Sequence, residues 1–357
     1  MKLKTITNYL ESIAPSGYQE SYDNSGLIVG NPNTKVTGVV ICLDSTEAVI
    51  DEAISKGCNL VIAHHPIVFK GLKRFNGRNY VERTVIKAIK NDVAIYAIHT
   101  NLDNVYRKGV NTKIAEMLGL KKTQILAPKS GLLKLHTFLP TDKSELIRKE
   151  FFKAGAGKVG KNKQMSYASL GVGTLNNFGG GKVKLEVIFD PIYKRQILKV
   201  LEENLSPSEI VYDIVKVENS NDHVGSGMIG ELPRAIDSMN FLRKLKATMK
   251  VGCVKYTNLT TDTIKKVAVC GGSGGFLLRK AIAAGADIFI TADYKYHEFF
   301  DADGNIIIAD IGHYESEQYT IELLYDILSN KFPNFAPALE ESRLFLTEIN
   351  TNPVNYL

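Results

Sequence analysis

What most constrains this chain is a strand–helix rhythm that runs twice and breaks off in between. From Val36 to about Leu120, short β-branched runs alternate with helical patterns: VTGVVICL (36–43), STEAVIDEAISKG (45–57), NLVIA (59–63), VERTVIKAIK (81–90), VAIYAI (93–98) and VNTKIAEMLG (110–119). The rhythm returns as KKVAVCGG (265–272), GFLLRKAIAAG (275–285), ADIFITA (286–292), NIIIADI (305–311) and SEQYTIELLYDIL (316–328). This pattern predicts βαβ units around a parallel sheet. Between about Leu132 and Asn219 the order is instead strand, helix, a passage rich in Gly, Ser and Thr over about 155–181, strand, helix and strand. That order resembles the split βαβ plan of a small ferredoxin-like α+β module. The expectation is therefore an α/β core, residues 1–128 and 232–357, interrupted by an α+β insert at 129–231. Two domains in tandem, with no return to the first, are the alternative.

An internal repeat favours the interrupted plan. Residues 39–65 slide onto 267–293 without a gap, matching Val39 with Val267, Cys42 with Cys270, Ser45 with Ser273, Ala53 with Ala281, Ile54 with Ile282, Gly57 with Gly285 and Ile62 with Ile290. A duplicated half-domain explains these identities. With 357 residues, 44% of them hydrophobic and 23% charged, the chain can bury a sizeable core and is neither disordered nor a disulfide scaffold. The net charge of +6 is mild and no dense Lys/Arg run accompanies it, so nucleic acid is not indicated. Cys42, Cys58, Cys253 and Cys270 form no CxxC pair, which suits a reducing cytoplasm. No apolar run approaches the ~20 residues that span a bilayer, and MKLKTITNYLESIAP lacks the core of a signal peptide. A cytoplasmic location is expected.

The chemistry lies in the histidines. Five of the seven, His64, His65, His99, His297 and His313, fall in or just beyond predicted strand ends. Ligands of open parallel sheets bind beyond the carboxyl ends of the strands. There, His64 and His65 would meet His99 and Asp103 from the next strand, and His313 and Glu317 from a distant one. Both His99 to Asp103 and His313 to Glu317 read His-x-x-x-acid, and on a helical pattern residues four apart share a face. Imidazole with carboxylate suits zinc, iron, manganese or a similar divalent ion. Five candidates, His64, His65, Asp103, His313 and Glu317, exceed what one open hydrolytic zinc takes, and they fit two ions bridged by a carboxylate, read here as Glu317. His99 alone reads more readily as a capping or hydrogen-bonding residue. His297 fits either a base held behind the ligands or polar packing. The run Gly271-Gly272-Ser273-Gly274-Gly275 fits an anion cradle or a tight structural turn, and it is no Walker loop because no Lys-Ser/Thr follows. Tyr22 to Leu27 reads only as a turn.

The motifs AHHPIVF (63–69), IHTNLDN (98–104), CGGSGG (270–275), ITADYKYHEFFDA (290–302) and GHYESE (312–317), with DNSGL (23–27), resemble those of the Nif-three-like family, also called GTP cyclohydrolase I type 2-like. The resemblance spans nearly the whole chain. It implies a dinuclear site with His65, Asp103 and Glu317 on one ion and His64, His313 and Glu317 on the other. It also implies a toroidal homohexamer and an insert similar to the PII signalling fold, carried by residues 134–162 and 211–219. The sequence departs from longer members at SPSEI (206–210), where they carry a His-Pro-Tyr-Glu-Glu stretch. The activity implied is that of a metal-dependent hydrolase on a nucleotide-like or phosphoester substrate. A non-catalytic, metal-stabilised hexameric scaffold, sensing a ligand or binding a partner through the insert, is the alternative.

Overall fold

The computed structural model describes residues 1–160, 162–171, 182–331 and 343–357, so most of the Gly-rich stretch before 182 lies outside the described residues. The chain forms α1 (Leu3–Ile13), β1 (Gly26–Val29), β2 (Val39–Asp44), α2 (Glu47–Ser55), β3 (Leu60–His65), α3 (Tyr80–Lys90), β4 (Ala94–Ala97), α4 (Thr100–Asp103), α5 (Val110–Met117) and β5 (Lys121–Lys129). Then follow β6 (Leu133–Pro140), α6 (Thr141–Lys153), β7 (Ser166–Gly171), β8 (Lys182–Phe189), α7 (Lys194–Asn204), β9 (Tyr212–Lys216) and β10 (Asn221–Asp237). The last elements are α8 (Ser238–Thr248), β11 (Lys255–Tyr256), β12 (Thr263–Ser273), α9 (Leu278–Ala283), β13 (Ile288–Ala292), β14 (Ile307–Asp310), α10 (His313–Glu317), α11 (Thr320–Ser329) and β15 (Leu344–Leu346).

Two compact units result. One comprises Met1–Ala127 with Gly225–Leu357, and the other Pro128–Val224. The first holds two sheets, ordered β1-β4-β3-β2-β15 and β11-β14-β13-β12-β10-β5. In the first sheet β15, β2, β3 and β4 run parallel, and in the second β12, β13 and β14 do. Their apolar runs are buried on both faces, as parallel strands require. Val39 and Ile41 of β2 share one core with Val267, Val269, Ile288 and Ile290 of the second sheet and with helices α1, α5, α8 and α11. The alternate residues Val40 and Cys42 pack beneath α2 and α3, and Ala268 and Phe289 beneath α9. The unit is thus layered helix, sheet, helices, sheet, helix, and the carboxyl ends of the parallel strands carry Asp44, His65 and Asp310.

The sequence reading finds these central strands and misses β1, β5, β10, β11 and β15. β1, β5, β11 and β15 are edge strands that pair on one side only, whereas β10 lies between β12 and β5 and hides its period in a register shift between Glu231 and Ile236. Pro128–Val224 forms its own antiparallel sheet, ordered β7-β8-β6-β9, over α6 and α7, with Leu135, Phe151, Phe189, Ile197 and Leu201 in its core. β8 lies between β6 and β7, the split βαβ order. Among the described residues, no helix is long and apolar enough to cross a membrane.

Candidate metal centre

The core brings His64, His65, His99, Asp103, His313 and Glu317 together in the wall of one cavity or directly behind it. His64 and His65 end β3, and their ring centroids lie 4.9 Å apart. Asp103 ends α4, whose first turn is built by the chain leaving β4. His313 and Glu317 open and close the short helix α10, so the i, i+4 spacing sets His313 Nε2 3.2 Å from Glu317 Oε2.

Each histidine has one nitrogen fixed from behind. His64 Nδ1 bonds the Ile98 carbonyl at 2.8 Å, His65 Nδ1 bonds Asp44 at 2.8 Å and His313 Nδ1 bonds Asp293 at 2.7 Å. Those acceptors make Nδ1 the protonated nitrogen and leave Nε2 as the lone-pair donor, the arrangement that metal-binding histidines use. All three Nε2 atoms converge on Glu317, whose side chain is buried. His64 Nε2 and Asp103 Oδ1 are buried with no hydrogen-bond partner. A buried polar atom left alone costs about 1–3 kcal/mol, so two facing each other call for something between them. They stand 3.6 Å apart, and His64 Nε2 is 3.8 Å from Glu317 Oε1. That is too long for a hydrogen bond and close to the roughly 3–3.5 Å between two ligands bonded to one ion at about 2.1 Å. The donor set therefore fits a divalent metal.

The atoms group differently from the partition that the resemblance implies. His65, His313 and Glu317 form one set, around Glu317 Oε2, His64, Asp103 and Glu317 form a second, and His64, His65 and His99 a third that has no carboxylate. The reason is the outer tether: Asp44 on β2 draws His65 to one side, and Ile98 beyond β4 draws His64 to the other. The electrostatics suit a site that can hold a cation. Burial, then the charge of Glu317, pushes the Asp103 carboxyl well above its usual range. Burial opposes charge on Glu317 too, but the His313 and His65 imidazoles that meet it and the nearby His64 ring outweigh it and hold its pKa down. Burial likewise disfavours charged His65 and His313, yet their paired carboxylates raise them to about 9 and about 11.

His99 lies beside the cluster, its ring centroid 5.3 Å from those of both His64 and His65. Asp23 accepts from its Nδ1 at 2.8 Å and also from Thr100 N and Ser25 Oγ. So the turn at 22–27, which by composition says nothing, supplies a buried anion behind His99. His297 is not in the cavity wall; it is exposed on a short 3-10 helix, Tyr296–Ala302, its ring stacked on Phe300. Asp23, Asp44 and Asp293 are the site residues that spacing misses. Their one signal is position, because Asp44 ends β2 and Asp293 follows β13. The glycine run serves packing. Gly271 N and Gly272 N donate to Asn111 and Ser316, and a Cβ on Gly272, where φ is +63°, would lie 2.5 Å from Glu317 Oε1.

The profile of the Duf34/NIF3 (NGG1p interacting factor 3) family matches residues 1–353. A Bacillus subtilis (strain 168) protein named GTP cyclohydrolase 1 type 2 homolog is 31% identical, over 99% of this chain and 98% of that one. A Staphylococcus epidermidis protein of the same name is 33% identical over 100% of both. The crystal structure of a Bacillus cereus protein related to NIF3 is similar with a TM-score of 0.84 at 32% identity, over 100% of this chain and 99% of that one. With a family profile matched along almost its full length, the chain belongs to the Duf34/NIF3 family.

Proposed function

We propose that this protein is a dinuclear metal-dependent hydrolase in which His64, Asp103 and Glu317 hold one divalent ion and His65, His313 and Glu317 the other. The observation that carries the reading is the orphaned pair His64 Nε2 and Asp103 Oδ1, buried and facing each other beside Glu317. When bound, such ions supply Lewis acidity and lower the pKa of water toward neutrality. The chain's own residues do the rest. Asp44, Asp293 and the Ile98 carbonyl orient the imidazoles, and Asp23 fixes His99 so that Nε2 can take up and return a proton within reach of the cluster.

The cavity, about 840 Å³, has room for a nucleotide-sized molecule. Tyr22, Phe69, Tyr80 and Phe276 line it with at least half their surface exposed, which suits stacking on a flat ring. A purine nucleotide agrees with the names of the Bacillus subtilis and Staphylococcus epidermidis relatives. The reading includes an internally duplicated core, supported by register. Val39, Val40 and Ile41 pair with Leu60, Val61 and Ile62 as the matched residues Val267, Ala268 and Val269 pair with Ile288, Phe289 and Ile290. It also includes a PII-like module at Pro128–Val224, a homohexamer and a cytoplasmic setting, the last supported by four free cysteines. The test is turnover of a panel of purine nucleotides and phosphoesters by protein reloaded with zinc, iron or manganese. Turnover that disappears on chelation and in His99→Gln, with metal content kept in the variant, is the expected result. Metal-loaded protein that turns over none of the panel would leave the scaffold reading in its place.

A further inference from the structure

The segment that follows β15 lines the site cavity with Asn352, Pro353, Val354 and Tyr356 and bonds to Asp44 and to Glu315, on either side of the centre. It is anchored first on α2, where Glu52 accepts from Thr347 Oγ1 and from Glu348 N at 2.9 Å, and Lys56 bonds Glu52 and Glu348. Thr351 Oγ1 then donates to Asp44 Oδ2 at 2.7 Å. The other oxygen of that carboxylate holds His65. One residue later, Asn352 Nδ2 donates to Glu315 Oε1 at 2.9 Å, inside the helix that carries His313 and Glu317. The amide of Asn352 has one orientation, because its oxygen accepts from Val354 N at 3.0 Å. Tyr356 completes the grip. Its ring packs where a Cβ on Gly252 would come within 3.2 Å, and its hydroxyl reaches Glu315.

The geometry matters because His65 comes from the first sheet and His313 with Glu317 from the second. An ion shared by them needs their donor atoms at about 3 Å, so the gap between the sheets at this point sets the site. About a third of the Asp44 side-chain surface is open to solvent, and a carboxylate held by His65 alone could swing there. Thr351 fixes its second oxygen and hence the plane of the carboxylate.

We propose that Thr351 and Asn352 are positioning residues that set the spacing of the His65–His313–Glu317 ion site, Thr351 through Asp44 and Asn352 through the Glu315 helix. This rests on the two-ion reading above. The test uses the full chain, stripped of metal and titrated with Co²⁺, whose visible absorption reports each coordination site. The variants are Thr351→Val, which keeps the volume and loses the donor, Thr351→Ser, which restores it, and Asn352→Leu. Partners behind a metal ligand typically count for ten- to a hundredfold in affinity. Thr351→Val and Asn352→Leu should each weaken the same one of two Co²⁺ events about tenfold, while Thr351→Ser binds like the unaltered protein and the unfolding midpoint of the metal-free variants stays in place. Two unchanged events in both variants would overturn the proposal and leave the two-ion reading standing. A loss that Thr351→Ser does not restore, accompanied by a lower midpoint, would overturn it as mere packing. No Co²⁺ binding by the unaltered protein would sink the two-ion reading first and this proposal with it.

Discussion

At the scale of single residues, the centre is a set of protons waiting to be displaced. His65 and His313, raised to about 9 and about 11 by Asp44, Asp293 and Glu317, are both imidazolium cations at pH 7 in the metal-free protein, with a second proton on Nε2. An ion takes up only the neutral imidazole, so its binding must expel these protons, and apparent affinity must rise with pH, most steeply below about 9 and less steeply from there to about 11. Titration calorimetry in buffers of different ionisation heat should find about three protons released per chain at pH 7, one each from His65, His313 and the Asp103 carboxyl, which burial and the charge of Glu317 raise to about 8. No release would mean that neither imidazole becomes a ligand. The ligand candidates were legible because histidine beside histidine, and histidine four residues before an acid, are rare patterns with a direct chemical meaning. The acids behind them were not. Asp23, Asp44 and Asp293 sit singly among ordinary turn and strand-end residues, 76, 21 and 20 positions from the histidines they hold, and only the fold makes them neighbours.

At the scale of elements, the parallel strands announced themselves through apolar runs, whereas the edges and straps did not. β15 and the segment after it owe their place to partners distant in sequence, above all Glu52 on α2. Burial alone would raise the Glu52 pKa, but bonds from Lys56, Thr347 and the Glu348 amide outweigh it and hold it below the usual value. A depressed carboxylate contributes stability that is present above its unfolded pKa of about 4.5 and is lost as pH falls through the lower folded value. Glu52→Gln should therefore cost about 1–2 kcal/mol at pH 7 in urea unfolding, and the difference should shrink as the pH drops below about 4. A penalty that does not change with pH would assign the effect to shape and not to charge. The two-residue turn at Gln318 and Tyr319 was also hidden, since SEQYTIELLYDIL reads as one helix while the chain breaks it between Glu317 and Thr320. That break lets His313 and Glu317 face the cavity while α11 buries Leu324, Ile327 and Leu328 in the core.

At the scale of the whole molecule, the ligand candidates all belong to the unit made of Met1–Ala127 and Gly225–Leu357, and none to Pro128–Val224. β5 and β10, which lead into and out of that second unit, are neighbours in one sheet, so a short linker can join them. A chain with 128–224 replaced by a Gly/Ser linker should fold and bind metal as the full chain does, as judged by thermal unfolding with and without added zinc. Loss of the zinc-induced shift would show that the second unit completes the centre. Glu317, buried and met by three imidazoles, is the residue proposed to join two ions. The most direct test of that role is metal analysis of equilibrium-dialysed protein, unaltered and Glu317→Ala. Close to two divalent ions per chain in the first and essentially none in the second is the expected result. A single ion in the unaltered protein, or full metal content in Glu317→Ala, would contradict it.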